Sequence, residues 1–228
     1  MVSGVWGMIL ACGKQEELSA GTETAYLHLG DRPTLVYSLL AFEECADIEG
    51  ILLIVSKDRT EHVGGMANLF GCSKLRKVLA GSTQRAASVQ SGLNAIKDDA
   101  AVVVIHEASR PCVQPELISQ TVKAAKRYGS GIAAYRIEES VKVVNKGLKA
   151  SKTIPPRTGW VVQTPQAYKL DTLSKALRSA RKKNLKYEEE SIAYERAHKA
   201  VHLVPAPRSN VKIVEADDLL LASSILRV

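Results

Sequence analysis

Four short polar segments stand directly behind or beside apolar runs, and they hold the side chains that could do chemistry on a charged ligand. His106-Glu107-Ala108-Ser109-Arg110-Pro111 follows Ala101 to Ile105 and sets a carboxylate three residues before a guanidinium. Such a carboxylate can hold Mg²⁺ against a polyphosphate while Arg110 orients it or binds phosphate; a purely structural Glu107–Arg110 pair is the other reading. Gly81-Ser82-Thr83-Gln84-Arg85 follows Val78 to Ala80 and enters a helix. Its free N–H groups, with Arg85 and Ser88, suit a phosphate or ribose, or make only an ordinary helix start. Ala11-Cys12-Gly13-Lys14 follows Val5 to Leu10, and its small residues let a base or phosphate approach the backbone. Arg157 to Thr164-Pro165-Gln166, with Asn210-Val211-Lys212, adds two cations and a hydroxyl.

The elements between these segments must bring them to one place. Val5 to Leu10, Ile51 to Val55, Val78 to Ala80, Ala101 to Ile105, Gly131 to Ala134 and Val201 to Val204 are short, apolar and rich in β-branched residues, the pattern of parallel strands buried on both faces. Thr34 to Glu44, Arg85 to Lys97, Gln114 to Tyr128 and Asp171 to Asn184 read as helices between them. The alternation predicts one α/β domain over residues 1–228, a three-layer α/β/α sandwich with a mostly parallel sheet. In such sheets ligands sit beyond the carboxyl ends of the strands, where the four segments fall. The stretch from about Ile137 to Arg157 interrupts the rhythm with two extended runs about a turn at Asn145 to Gly147. It reads as a projecting β-arm, too thin to be stable alone and expected to pack on a second subunit.

Composition limits the function. The 228 residues are 46% hydrophobic and 24% charged, a globular balance, and no run approaches the roughly 20 apolar residues of a membrane span. The start lacks the pattern of a signal peptide, so a cytoplasmic protein is expected, with no membrane partner. Cys12, Cys45, Cys72 and Cys112 are widely spaced and read as reduced, mostly buried thiols. The net charge of +7 suits an anionic ligand, but only 5% of residues are aromatic and none interleave with basic residues in a nucleic-acid motif. The basic run Arg178 to Lys186 reads as a solvated helix face.

Taken in order, Ala11-Cys-Gly, Tyr26-Leu-x-Leu-Gly, Gly81 to Arg85 with Ser88-Val89, His106 to Pro111, Ser140-Val-Lys142, Arg157, Thr164-Pro-Gln166 and Asn210-Val-Lys212 resemble the 2-C-methyl-D-erythritol 4-phosphate cytidylyltransferases. The resemblance spans about Trp6 to Leu226. It implies a sugar-nucleotidyltransferase fold, a homodimer joined by its arms, and Mg²⁺-dependent transfer of CMP from CTP to methylerythritol phosphate. An oxygen of the sugar phosphate attacks the α-phosphate in line and pyrophosphate leaves. On this resemblance Ala11, Cys12, Gly13, Gly81, Arg85, Ser88 and Ala108 bind the nucleotide and Glu107 binds the metal, where the family has an aspartate. Ser140, Arg157, Thr164 and Lys212 bind the acceptor, and Lys14, Arg157 and Lys212 are the catalytic cations.

The first loop departs from the pattern. Glu17 stands at the position of the family's loop arginine and Thr24 at that of its lysine, leaving Lys14 as the nearby cation able to substitute. Three readings stay open: the methylerythritol phosphate enzyme; a non-catalytic relative that binds a sugar phosphate, nucleotide or protein; and transfer of CMP to another polyol phosphate such as ribitol 5-phosphate. Nucleic-acid binding is disfavoured.

Overall fold

The apolar runs become strands because each is short, β-branched and flanked by helices that cover both of its faces. The computed structural model describes residues 4–13, 16–18 and 22–228. In chain order its strands are β1 (Val5–Ala11), β2 (His28–Leu29), β3 (Arg32–Pro33), β4 (Gly50–Val55), β5 (Leu75–Ala80), β6 (Val102–Glu107), β7 (Ser130–Arg136), β8 (Val141–Val144), β9 (Ala150–Ile154), β10 (Trp160–Lys169) and β11 (Leu203–Pro205). The α-helices are α1 (Thr34–Glu44), α2 (Thr60–Leu69), α3 (Arg85–Ile96), α4 (Pro115–Tyr128), α5 (Leu170–Lys182), α6 (Glu190–Arg196) and α7 (Ala216–Leu226).

Among the described residues, seven strands form the central sheet in the order β11-β7-β10-β6-β1-β4-β5. β1 runs parallel to both β4 and β6, and the chain leaves it toward β4 and β5 before returning to β6 on its other side. The strand order therefore reverses between β1 and β6, opening a crevice at their carboxyl ends. Alternate residues of β1 serve opposite layers. Ile9 and Ala11 pack with Leu35, Phe42 and Val63, whereas Met8 and Leu10 pack with Val89, Leu93 and Leu173.

The mostly parallel three-layer sandwich is as expected, and two regions go beyond it. β10, a region from which only the Thr164-Pro165-Gln166 turn stood out in the sequence, is a ten-residue strand running antiparallel to both β6 and β7. Pro165 masks its strand character, because proline cannot donate to a ladder; it falls where the β10–β7 register shifts, between Val162 and Gln166. α2, α6 and α7 also lacked a clear signal: α2 contains Gly64 and Gly65, and α6 is seven residues long. The arm forms as read, with β8 and β9 antiparallel about a turn at Lys146–Leu148. Val143, Val144 and Leu148 on it are exposed. None of the described helices is long and apolar enough to cross a membrane.

Candidate functional site

Glu107 ends β6, opposite Leu10 of β1, so the sheet itself places this carboxylate at the mouth of the crevice. The side chain is buried and ringed by cations. Oε1 accepts from Lys212 Nζ at 2.9 Å and from Arg85 at 3.1 Å, and Oε2 accepts from Arg110 Nε at 2.9 Å. Burial works against ionisation of Glu107, yet Lys212, Arg85 and Arg110 together outweigh it and hold its carboxyl well below the ordinary range. The structural Glu107–Arg110 pair is thus real, and it is one part of a larger cluster.

Each cation has its own support. Arg85, in the first turn of α3, also donates to Glu190, which opens α6 and is fully buried. Arg110 donates to the Asn210 carbonyl at 3.1 Å. Asn210 in turn donates to the Gln163 side chain and the Thr164 carbonyl of β10, and Ile213 N–H donates to the Ser109 carbonyl. These bonds dock residues 210–213 against the β6 end and set Lys212 beside Glu107.

Thr164 and His106 form a second, buried layer beneath the carboxylate. Glu107 N–H donates to Thr164 Oγ1 at 3.0 Å; Thr164 Oγ1 lies 3.1 Å from His106 Nδ1, and His106 Nε2 lies 3.2 Å from the Arg110 carbonyl. A carbonyl can only accept, so the imidazole carries its proton on Nε2 and Nδ1 accepts from the threonine hydroxyl. Burial, reinforced by the Arg110 charge, keeps His106 neutral by lowering its pKa to about 3.

On the nucleotide side, Cys12, Gly13, Arg85 and Ser88 line a cavity of about 420 Å³ together with Tyr187 and Glu188. Gly81 is confined for a packing reason: a Cβ there would lie 2.2 Å from Cys12 Sγ and 2.8 Å from Ile54. Ser88 Oγ accepts from the Ser82 amide at 2.8 Å, folding the donor loop over the start of α3. Ala11 and Ala108 are buried beneath. A second cavity of about 510 Å³ is lined by Glu17, Arg85, Glu107, Arg110, Thr164 and Lys212, among others.

The remaining expected residues lie elsewhere. Ser140 and Arg157 are on or beside the arm and line neither cavity; Arg157 is exposed and pairs with Glu138 at 3.2 Å. Lys14 lies outside the described residues. Thr24 is buried, with a hydroxyl that lacks a hydrogen-bond partner. Two members of the cluster were not singled out from sequence: Glu190, whose one signal is the acidic run Glu188-Glu189-Glu190 before a helix, and Glu16. The Glu16 carboxylate is buried and accepts from Ser109 N–H at 2.9 Å and from Ser109 Oγ at 3.2 Å, with Lys212 Nζ 3.9 Å away. Burial and the neighbouring Glu107 charge push its carboxyl up, against the pull of Lys212 and the Ser109 amide.

As for a metal, the described residues hold no group of three or more His, Cys, Asp or Glu that could cage one. A single carboxylate at a strand end is instead the donor set that suits Mg²⁺ held mainly by phosphate oxygens.

Comparison with known proteins agrees with this architecture. The family model for 2-C-methyl-D-erythritol 4-phosphate cytidylyltransferase (IspD) matches residues 5–228. A protein of that description from Geobacillus thermodenitrificans is 32% identical over 222 residues, covering 96% of this chain and 95% of the relative. The solved 4-diphosphocytidyl-2C-methyl-D-erythritol synthase from Anaerococcus prevotii superposes with a TM-score of 0.87 at 23% identity, covering 99% of this chain and 97% of that one. The Francisella tularensis 2-C-methyl-D-erythritol 4-phosphate cytidylyltransferase gives 0.79 at 27% identity, covering 98% and 100%. With its crevice between β1 and β6 and its matching sequence over nearly the whole length, the chain belongs to the 2-C-methyl-D-erythritol 4-phosphate cytidylyltransferase family.

Proposed function

We propose that this protein transfers CMP from CTP to 2-C-methyl-D-erythritol 4-phosphate and releases pyrophosphate. The observation that carries the reading is Glu107, fixed at the end of β6 among Arg85, Arg110 and Lys212 and open to both cavities through Arg85. The cavity beside Cys12, Gly13 and Ser88 takes the cytidine end, and Arg85, which lines both cavities, faces the phosphates together with Lys212 of the second cavity. The cavity over Thr164 and Gln163 takes the acceptor phosphate. Glu107 would hold Mg²⁺ together with the nucleotide phosphates, and the ion would supply charge neutralisation there. The chain's own part is to hold two polyanions in line and to spread positive charge over the transferring group. Thr164 acts from below: its hydroxyl is engaged by Glu107 N–H and His106, so it fixes the carboxylate. Ser140 and Arg157 lie on the exposed arm, and they reach an acceptor by packing of that arm on a second subunit, as a homodimer.

A non-catalytic relative is the second reading, favoured by Glu16 and Glu17 in the first loop and by the buried Thr24. Pyrophosphate release measured with CTP, Mg²⁺ and methylerythritol phosphate, with ribitol 5-phosphate in parallel, separates the two. Turnover by the natural chain with methylerythritol phosphate supports transfer. Turnover only in the double variant Glu17→Arg with Thr24→Lys supports the non-catalytic relative, and preference for ribitol phosphate reassigns the acceptor.

A further inference from the structure

Glu16 presents an unusual arrangement for a site that should receive phosphates. Its carboxylate takes both donors of Ser109, the backbone N–H and the hydroxyl, and faces the Lys212 ammonium. Two convergent donors and a cation make a receptor for one anionic oxygen group. The receptor is buried, Glu16 being 2% exposed, and the same side chain lines the cavity that holds Cys12, Gly13 and Arg85. The acid's backbone is fixed too, since Glu16 N–H donates to the Gly13 carbonyl at 2.8 Å.

We propose that Glu16 is an internal competitor for the phosphate position, occupying with its carboxylate the Lys212 ammonium and the Ser109 donors behind the cavity wall, which its removal opens to an incoming polyphosphate, and so sets how tightly this chain binds its nucleotide. The inference rests on the nucleotide reading for the identity of the ligand, but competition for the donors is a property of the anion alone. Glu107 keeps Lys212 through its own 2.9 Å bond, so removing Glu16 leaves the ammonium in place and frees one side of it. A phosphate oxygen then gains the charge-assisted bonds that the carboxylate held.

The test is calorimetric binding of inorganic tripolyphosphate and of cytidine at about pH 9, above the raised Glu16 carboxyl value of about 8, to the natural protein, Glu16→Ala and Glu16→Gln, with thermal melts to verify folding. Tripolyphosphate should bind Glu16→Ala about 10- to 100-fold more tightly than the natural chain, the gain expected for one or two charge-assisted bonds. Glu16→Gln should lie between, because its amide oxygen still fills part of the receptor. Cytidine, which has no phosphate, should bind all three alike. Unchanged or weaker tripolyphosphate binding in both variants overturns the proposal, as does an equal gain for cytidine, which would mean that the substitution merely opened the cavity. Should neither variant fold, carbodiimide labelling of the natural protein decides: tripolyphosphate should raise labelling of Glu16, and no rise overturns the proposal. A gain for tripolyphosphate without CMP transfer in any version leaves the competition standing and removes the transferase reading.

Discussion

Arg85 in the first turn of α3 and Glu190 in the first turn of α6 stand 105 residues apart in sequence and are joined by a two-point ion pair, 2.8 Å at its shortest. Glu190 is fully buried and Arg85 nearly so, and the same guanidinium reaches Glu107 with its remaining arm. The pair therefore ties the start of α6 to the start of α3 and, through Arg85, to the carboxylate at the end of β6. Removing Glu190 leaves a buried cation short of its main counter-charge, which typically costs about 3–5 kcal/mol. Glu190→Ala should lower unfolding free energy in urea by about that much, and Glu190→Gln by clearly less. Equal and small losses would show that Glu190 does not hold Arg85.

Thr164 is expected to act through position. Thr164→Val keeps the shape but strands Glu107 N–H and His106 Nδ1, a loss of about 1–3 kcal/mol for each buried group left unpaired. Thr164→Ser should restore most of that stability. If valine were as stable as threonine by chemical denaturation, the layer beneath Glu107 would carry no weight.

The two site carboxyls give stability a definite pH dependence. Glu107, held down to about 2, contributes stability that is present above the ordinary carboxyl value and is lost as pH falls toward 2. Glu16 has the opposite sign: its carboxyl is raised to about 8 by burial, so its contribution is fullest below the ordinary value near 4.5 and fades as pH rises through about 8. Denaturation of Glu16→Gln should therefore show less loss of stability between pH 5 and about 9 than the natural chain. Identical pH profiles would remove Glu16 from the linkage.

Arg157 tests the arm. Its bond to Glu138 is exposed, and pairs of this kind add little to stability, so Arg157→Ala should leave stability nearly unchanged. The same variant should weaken the acceptor more than CTP in separate binding measurements. Equal losses for both ligands would show that Arg157 is not an acceptor residue. Light scattering checks the accompanying dimer, and a monomer would leave Ser140 and Arg157 without a route to the site.

What the sequence alone determined was the part written in local periodicity. Four of the β-branched runs, Val5 to Leu10, Ile51 to Val55, Val78 to Ala80 and Gly131 to Ala134, lie within strands, Ala101 to Ile105 starts one residue before β6, and Thr34 to Glu44 is helical with those same ends, because burial on both faces forces near-continuous apolar composition. It also put Glu107 and Arg110 just behind an apolar run and Arg85 at a helix start, and singled out Lys212 near the C-terminus. The partners of those residues were decided by the tertiary structure. No spacing rule links Glu190 to Arg85 or Asn210 to Gln163, since each pair meets only when distant elements pack, and β10 enters the sheet against its own proline signal. Most telling is Glu16, an acidic loop residue in a one-dimensional reading and a buried ligand of Ser109 once β1 and β6 stand side by side. Hydrogen bonds and ion pairs of this range depend on where the folded chain brings their atoms, and that position is not contained in any local pattern of residue types.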